Sequence, residues 1–377
     1  MSNNQDLQKI RTEINEIDSQ LVDLLVKRME LADRVAGVKG KNNIAVTDEK
    51  REEQVVERAV EQAGPVFKGE TITFMRSLMA ISKMRQRKAL FSQQEEVLLP
   101  EPRKPLEGDL LIAFQGVPGA WGEQAARQYF QDAEYTAMDH FEDVFVAVKK
   151  KKAAYGLVPI ENSRTGAIGE VYDLLRKHGC YIVGQTWVKV RQCLLALPDT
   201  RLEDIREVFS HPEGFRQSDR FLHGRYWDLT ACRNTAVAAE MVADKKEKRY
   251  AAIGSRRAAE LYGLQVLVPD IMDDDSNQTR FIVIADTPEY NEKSDTVSLI
   301  FRTSHRSGAL CDVLFAFLQE NINLSRLESR PMTGGKYGFF ADLQGNIEAP
   351  NVIAGIRQAA ASCGHLEVLG CYQEKSE

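Results

Sequence analysis

A cation standing where an apolar side chain belongs is the first sign of chemistry in this chain. Leu7, Ile10, Ile14, Ile17, Leu21, Leu24, Leu31, Val35 and Val38 recur in alternating steps of three and four. That is the spacing of a heptad seam on one long helix. The seam position after Leu24 is Arg28, and no seam position is acidic. A guanidinium in an apolar seam is costly unless an anion meets it, so the pattern predicts a bound, negatively charged ligand. Lys39 lies ~17 Å further along the helix axis, within side-chain reach of the same small ligand. Arg11 lies ~25 Å from Arg28 and could join only from a second copy of the chain. A second helix, capped near Thr47 and ended by Gly64-Pro65, adds Asp48, Arg51 and Glu52. A third, from about Thr71 to Phe91, carries the stripe Ile72, Met75, Leu78, Met79, Ser82, Gln86, Leu90. Ser82 and Gln86 occupy core positions, and each needs a buried hydrogen-bond partner.

Three further runs carry polar groups at strategic places. AFQGVPGAWGEQAA (113–126) passes from a strand through a Gly-rich turn into a helix. Its backbone N–H groups and helix N-terminus could receive a carboxylate. VPIENSRTGAIGEVYDLL (158–175) repeats that logic with Asn162, Ser163 and Thr165. Asn277-Gln278-Thr279-Arg280-Phe281 leads into the strand RFIVIA. The first run is not G-x-G-x-x-G and lacks an acidic residue at dinucleotide spacing, which argues against a nicotinamide site.

The elements that must position these groups form a multidomain chain of 377 residues. Residues 1–92 read as an all-α three-helix domain. Residues 93–108, with three prolines and many charges, read as a linker. From 109 to 286 short apolar runs alternate with helical stretches, an α/β pattern with largely parallel sheets. Residues 296–377 read strand, helix, strand, strand, helix, strand, an α+β ferredoxin-like order. The net charge of −6 argues against a nucleic-acid partner. No apolar run approaches the ~20 residues of a membrane span. The six cysteines and six histidines are dispersed. That suggests reduced thiols in a cytoplasmic protein and no metal site.

Residues 1–92 resemble the helical chorismate mutases at Arg11, Arg28, Lys39, Asp48, Arg51, Glu52, Ser82 and Gln86. The resemblance implies an intertwined dimer that rearranges the dianion chorismate by holding a compact conformer and stabilising the ether oxygen. Arg28 and a partner's Arg11 would clamp the carboxylates, with Arg51 assisting and Ser82 touching one of them. Lys39 and Gln86 would donate to the ether oxygen, and Glu52, with the Asp48 backbone, would bind the hydroxyl. Residues 109–286 resemble prephenate dehydratase in the Gly-rich loop, V-P-I-E-N-S and T-R-F. This implies a periplasmic-binding-protein-like fold of two lobes (about 109–186 plus 270–286, and 187–269) around a cleft. There Thr279 would donate to the leaving hydroxyl and Arg280 would order the site and attract the dianion. Asn162, Ser163 and Thr235 would hold carboxylates, with Phe281 beside them. Residues 296–377 resemble the ACT regulatory domain at Gly308-Ala309-Leu310 and Glu328-Ser329-Arg330-Pro331, implying feedback inhibition by phenylalanine between two such modules.

Together these identify a resemblance to the bifunctional chorismate mutase–prephenate dehydratases, working without cofactor as homodimers or homotetramers. Ala120, Gly122, Gln192, Glu213 and Ser218 depart from the dehydratase pattern and bear on fine substrate contacts. Arogenate dehydratase activity, or a non-catalytic amino-acid sensor, are the alternatives.

Overall fold

The computed structural model describes residues 2–42, 44–91, 100–331 and 337–373. The helical region comprises α1 (Ser2–Lys41), α2 (Glu49–Ala63) and α3 (Lys68–Phe91). Asp48, rather than Thr47, is the N-cap of α2, because its carboxylate accepts from Arg51 N at 3.0 Å. A 3-10 turn at Pro65–Phe67 lets α3 begin at Lys68, ahead of the expected Thr71. α1 is about 60 Å long. It meets α3, and the residues on its buried face are small, Ala32 and Ala36, while α3 buries Met79, Ala80 and Met84. The heptad seam is not that face: Ile10, Ile14, Ile17 and Leu24 are 50–60% exposed within one chain. Small side chains allow close helix approach, so alanines rather than leucines are spent on the intrachain contact.

Residues 93–99 of the expected linker lie outside the described residues. From 100 onward the segment is anchored, not a free spacer. Arg103 pairs with Asp286 at 3.0 Å and Glu289 at 2.7 Å, and Leu106 N donates to Tyr155 Oη at 2.9 Å.

The α/β region has two lobes. The first holds β1 (Leu110–Gln115), α4 (Trp121–Tyr129), β2 (Ala133–Met138), α5 (Phe141–Lys149), β3 (Tyr155–Asn162), β4 (Gly166–Ala167), α6 (Gly169–His178) and β5 (Tyr181–Lys189). The chain then crosses to β6 (Cys193–Ala196), β7 (Glu207–Ser210), α7 (Pro212–Gln217), α8 (Asp219–Leu222), β8 (Asp228–Ala231), α9 (Thr235–Lys245), β9 (Tyr250–Gly254), α10 (Arg256–Tyr262) and β10 (Gln265–Val268). It returns to the first sheet as β11 (Gln278–Ala285). The strand orders are β2-β1-β3-β11-β5, with β4 beside β3, and β10-β6-β9-β7-β8. Both sheets are mixed rather than largely parallel. β11 runs antiparallel to β3 and β5, and β6 antiparallel to β9 and β10.

The last region is β12 (Thr296–Thr303), α11 (Ala309–Gln319), β13 (Leu324–Pro331), β14 (Tyr337–Gln344), α12 (Pro350–Ala360) and β15 (His365–Tyr372). Its order is β13-β14-β12-β15, every pair antiparallel. One face buries Val297, Leu299 and Phe301 against Val313, Phe317 and Ile356 of its helices, and Met84 of α3 joins this core. The other face places Ile300, Phe340, Leu369 and Tyr372 in one core with Tyr172, Ile182 and Ile282 of the first lobe. A Cβ on Gly370 would stand 2.0 Å from the Ile182 carbonyl oxygen, so only glycine allows β15 and β5 to touch. Among the described residues no helix is long and apolar enough to cross a membrane.

Candidate functional site

A cavity of about 730 Å³ lies between the two lobes. Its floor is set by strand pairing, which puts Thr279 of β11 opposite Asn162 of β3. The Asn162 amide donates to Thr279 Oγ1 at 2.9 Å, Asn277 Oδ1 at 2.9 Å and Gln278 O at 3.2 Å. Its oxygen accepts from Arg164 N at 3.0 Å and Thr165 N at 3.1 Å. Asn162 is thus locked from both ends. Because Thr279 Oγ1 accepts from Asn162, its own proton is left to donate elsewhere.

The cavity walls favour anions. α4, α7 and α9 all begin there, presenting the positive ends of their dipoles. α4 has Ala120 as N-cap, with no side chain to satisfy its first N–H groups. α9 is capped by Asn234, whose side chain accepts from Val237 N at 2.8 Å. His211 caps α7 through Nδ1, accepting from Glu213 N at 3.1 Å, and burial pushes its pKa below the ordinary histidine value. Arg233 lines the cavity, exposed and with no ion-pair partner among the described residues. The acidic lining groups are Asp139 and Glu213, the latter paired with Arg216.

Asn162, Thr235 and Thr279 line this cavity, but three expected residues do not. Arg280 points through the opposite face of the sheet. It donates to Gln185 Oε1 at 2.6 Å, Asp342 Oδ2 at 2.7 Å and Tyr372 Oη at 3.0 Å. Burial alone would lower its pKa, but Tyr372 and Asp342 outweigh that and hold it raised. Arg280 therefore joins the C-terminal region and does not line this cavity. Ser163 is spent on the backbone, its hydroxyl accepting from Gln278 N at 3.0 Å. Phe281 is 3% exposed, in the core with Ile112, Phe114 and Leu157. The first loop is likewise not an open cradle. Gly119 N donates to Glu123 Oε2 at 2.5 Å, Ser255 Oγ donates to Gly119 O at 3.0 Å, and Arg257 stands 3.5 Å from Glu123. It clamps the second lobe, leaving the N-terminus of α4 to face the cavity. Asp342→Leu should leave Arg280 buried and unpaired, costing about 3–5 kcal/mol. A thermal unfolding curve unchanged by that substitution would remove this junction from the stability of the protein.

Sequence reasoning overlooked Arg233, which stands one residue before Asn234, the N-cap of α9, where its charge adds to the anion preference of a helix start. Among the departures, Gln192 donates to Gln217 Oε1 at 3.0 Å but leaves its own buried Oε1 unpartnered, as Ser218 leaves its hydroxyl.

In the helical region the two anomalies meet. Arg28 donates to Ser82 Oγ and to Leu78 O, the latter at 3.2 Å. No carboxylate offsets its burial, which lowers its pKa. Gln86 is buried with Oε1 unpartnered. Lys39 Nζ donates to Val46 O at 2.6 Å. Arg11 and Arg51 are exposed. Glu52 Oε2 accepts from Lys83 at 3.0 Å, a lysine that helical periodicity did not single out.

In the C-terminal region Gly308, Ala309 and Leu310 line a cavity of about 220 Å³ with His305, Tyr337 and Phe339. Glu328, Ser329 and Arg330 are not on it. They lie on β13, at one end of the sheet, where Arg330 approaches Asp173 of α6 at 4.0 Å.

Residues 10–87 match the family model of chorismate mutase type II, and residues 112–289 that of prephenate dehydratase. The chain is 33% identical over 389 aligned residues to a bifunctional chorismate mutase/prephenate dehydratase of Escherichia coli (strain K12), covering 100% of this chain and 98% of that one. Among solved structures, a prephenate dehydratase from Arthrobacter aurescens in complex with L-Phe aligns with a TM-score of 0.64 and 26% identity. It covers 70% of this chain and 90% of that one. A quorum quenching acylase, GqqA, aligns with a TM-score of 0.66 and 31% identity, covering 70% of this chain and 98% of that one.

Proposed function

The chain belongs to the bifunctional chorismate mutase/prephenate dehydratases of phenylalanine biosynthesis, and on that premise we propose how its residues divide the two reactions. In the dehydratase, prephenate loses CO₂ and its ring hydroxyl as the ring becomes aromatic. Thr279 donates its proton to the departing hydroxyl. A threonine is a weak acid in water, so its use as donor depends on fixed orientation in a sheltered cleft. The observation that carries this assignment is the Asn162 amide donating into Thr279 Oγ1. Asn162 is then the residue that aims Thr279, in place of the carboxylate ligand expected from sequence. Arg233, Thr235 and the start of α9 receive one carboxylate, and the uncapped start of α4 receives the other.

Arg233→Ala tests that reading. Losing one charge-assisted contact should raise KM for prephenate roughly 10- to 100-fold, with kcat and chorismate turnover kept. An unchanged KM would take Arg233 out of the site.

In the mutase, Arg28 and Arg11 of the partner subunit clamp the substrate's carboxylates. Arg51 assists them, and Ser82, already bonded to Arg28, touches one carboxylate. Lys39 and Gln86 donate to the ether oxygen, while Glu52, with the Asp48 backbone, accepts from the hydroxyl. The exposed seam of α1 supports a dimer, since each covered Leu or Ile contributes about 1.5–3 kcal/mol. The C-terminal strand order, with both helices against one face, supports a ferredoxin-like ACT domain. Phenylalanine is its ligand, with the carboxylate at the start of α11. Glu328 and Ser329, away from that cavity on an end strand, are supplied by the second copy.

A further inference from the structure

Lys83 stands on α3 between acidic groups of two different regions. Its Nζ lies 3.0 Å from Glu52 Oε2 on α2 and 3.6 Å from Asp312 Oδ2 on α11, and its side chain is 8% exposed. An ammonium so enclosed is stable only if paired, and here one pairing crosses from the mutase helices to the regulatory region.

The surroundings tie the same faces together. Asp312 also takes Arg306, which reaches Glu49 in the first turn of α2 at 3.9 Å. Arg87, one turn beyond Lys83, donates to Ser362 Oγ at 2.8 Å and to Thr47 Oγ1 at 3.4 Å. Between them Met84 is 3% exposed inside the C-terminal core. This stretch of α3 is therefore packed by the C-terminal region as well as by α1 and α2.

Glu52 has two oxygens with different fates. Oε2 is taken by Lys83, while Oε1 has no donor among the described residues. We infer that Lys83 is a positioning residue for the mutase reaction. It grips one oxygen of Glu52 so that the other can accept from the substrate hydroxyl, and Asp312 of the C-terminal region holds Lys83 in that place. The inference rests on the proposed reading of Glu52 as the hydroxyl ligand. It makes the mutase site complete only when the C-terminal region is docked on α3.

The test uses the full chain and steady-state mutase kinetics. Glu52→Gln removes the proposed ligand charge together with its pairing to Lys83 and should raise KM for chorismate. Lys83→Met should raise the same KM about 5- to 50-fold, with a smaller change in kcat, and Lys83→Arg should restore most of it. Asp312→Asn should raise KM in the same direction, and the double variant with Lys83→Met should fall short of the product of the single effects. Prephenate turnover by Lys83→Met reports that the chain is folded. If Glu52→Gln raises KM and Lys83→Met, folded by that measure, does not, the inference fails while the ligand reading stands. If Glu52→Gln leaves KM unchanged, the ligand reading fails and the inference with it. If the Lys83 and Asp312 effects multiply independently, the C-terminal region has no part in holding Lys83.

Discussion

Thr279→Val should stop phenylpyruvate formation from prephenate while chorismate is still converted to prephenate. Valine keeps the branched shape of threonine and its strand preference, so β11 should pair with β3 as before. The Asn162 amide keeps Asn277 Oδ1 and Gln278 O as acceptors and is not left unsatisfied. What disappears is the one hydroxyl on the cavity floor whose oxygen is held by Asn162 and whose proton is free. Removal of a positioned proton donor costs typically about 10²- to 10⁴-fold in rate, and the loss should appear in kcat. Thr279→Ser, which keeps the hydroxyl, should retain part of the activity. Prephenate turnover by the valine variant within a few fold of the parent protein would show that another group protonates the leaving hydroxyl.

The expected residues that line the cavity and those that lie elsewhere differ in a physical way. Asn162 and Thr279 line the cavity as a cross-strand pair; each alone is an ordinary polar residue at a strand end, and only the co-occurrence of their motifs drew attention to them. Arg280 was grouped with Thr279 by treating three consecutive residues as one functional unit. Successive strand residues face opposite sides of a sheet, so a Thr279 on the cleft side requires an Arg280 on the other. What waits there, Asp342 and Tyr372, belongs to a domain distant in sequence, and no local pattern announces it. Lys83 was invisible for the same reason, since its charge makes sense only once Asp312 is in place. The seam of α1 was legible as apolar and as a surface for a second copy, yet the face it turns to α3 was not. Ala32 and Ala36 lie buried on α1 with almost no hydrophobic signal, so the stronger pattern marks a surface left exposed within one chain.

That exposed seam gives the other large effect, in Arg28→Leu. Leucine would fill the gap between Leu24 and Leu31 and make the seam continuous, so a dimer paired through it should gain about 1–2 kcal/mol. Little is lost inside the chain. Arg28 donates to Ser82 and Leu78, but Ser82 Oγ also donates to Leu78 O at 2.9 Å, so neither group is orphaned. The mutase should nevertheless collapse, because truncating a buried, hydrogen-bonded partner of a charge costs about 2–5 kcal/mol. At 1.36 kcal/mol per tenfold, that is roughly 30- to 5,000-fold in kcat/KM. Prephenate turnover should be spared, since the two sites share no residue. The decisive comparison is stability against activity in one variant. Higher Tm with lost mutase turnover means that the arginine is kept for an external anion at a cost to packing. Lower Tm with mutase turnover intact would mean that Arg28 serves the fold and that chorismate is held elsewhere.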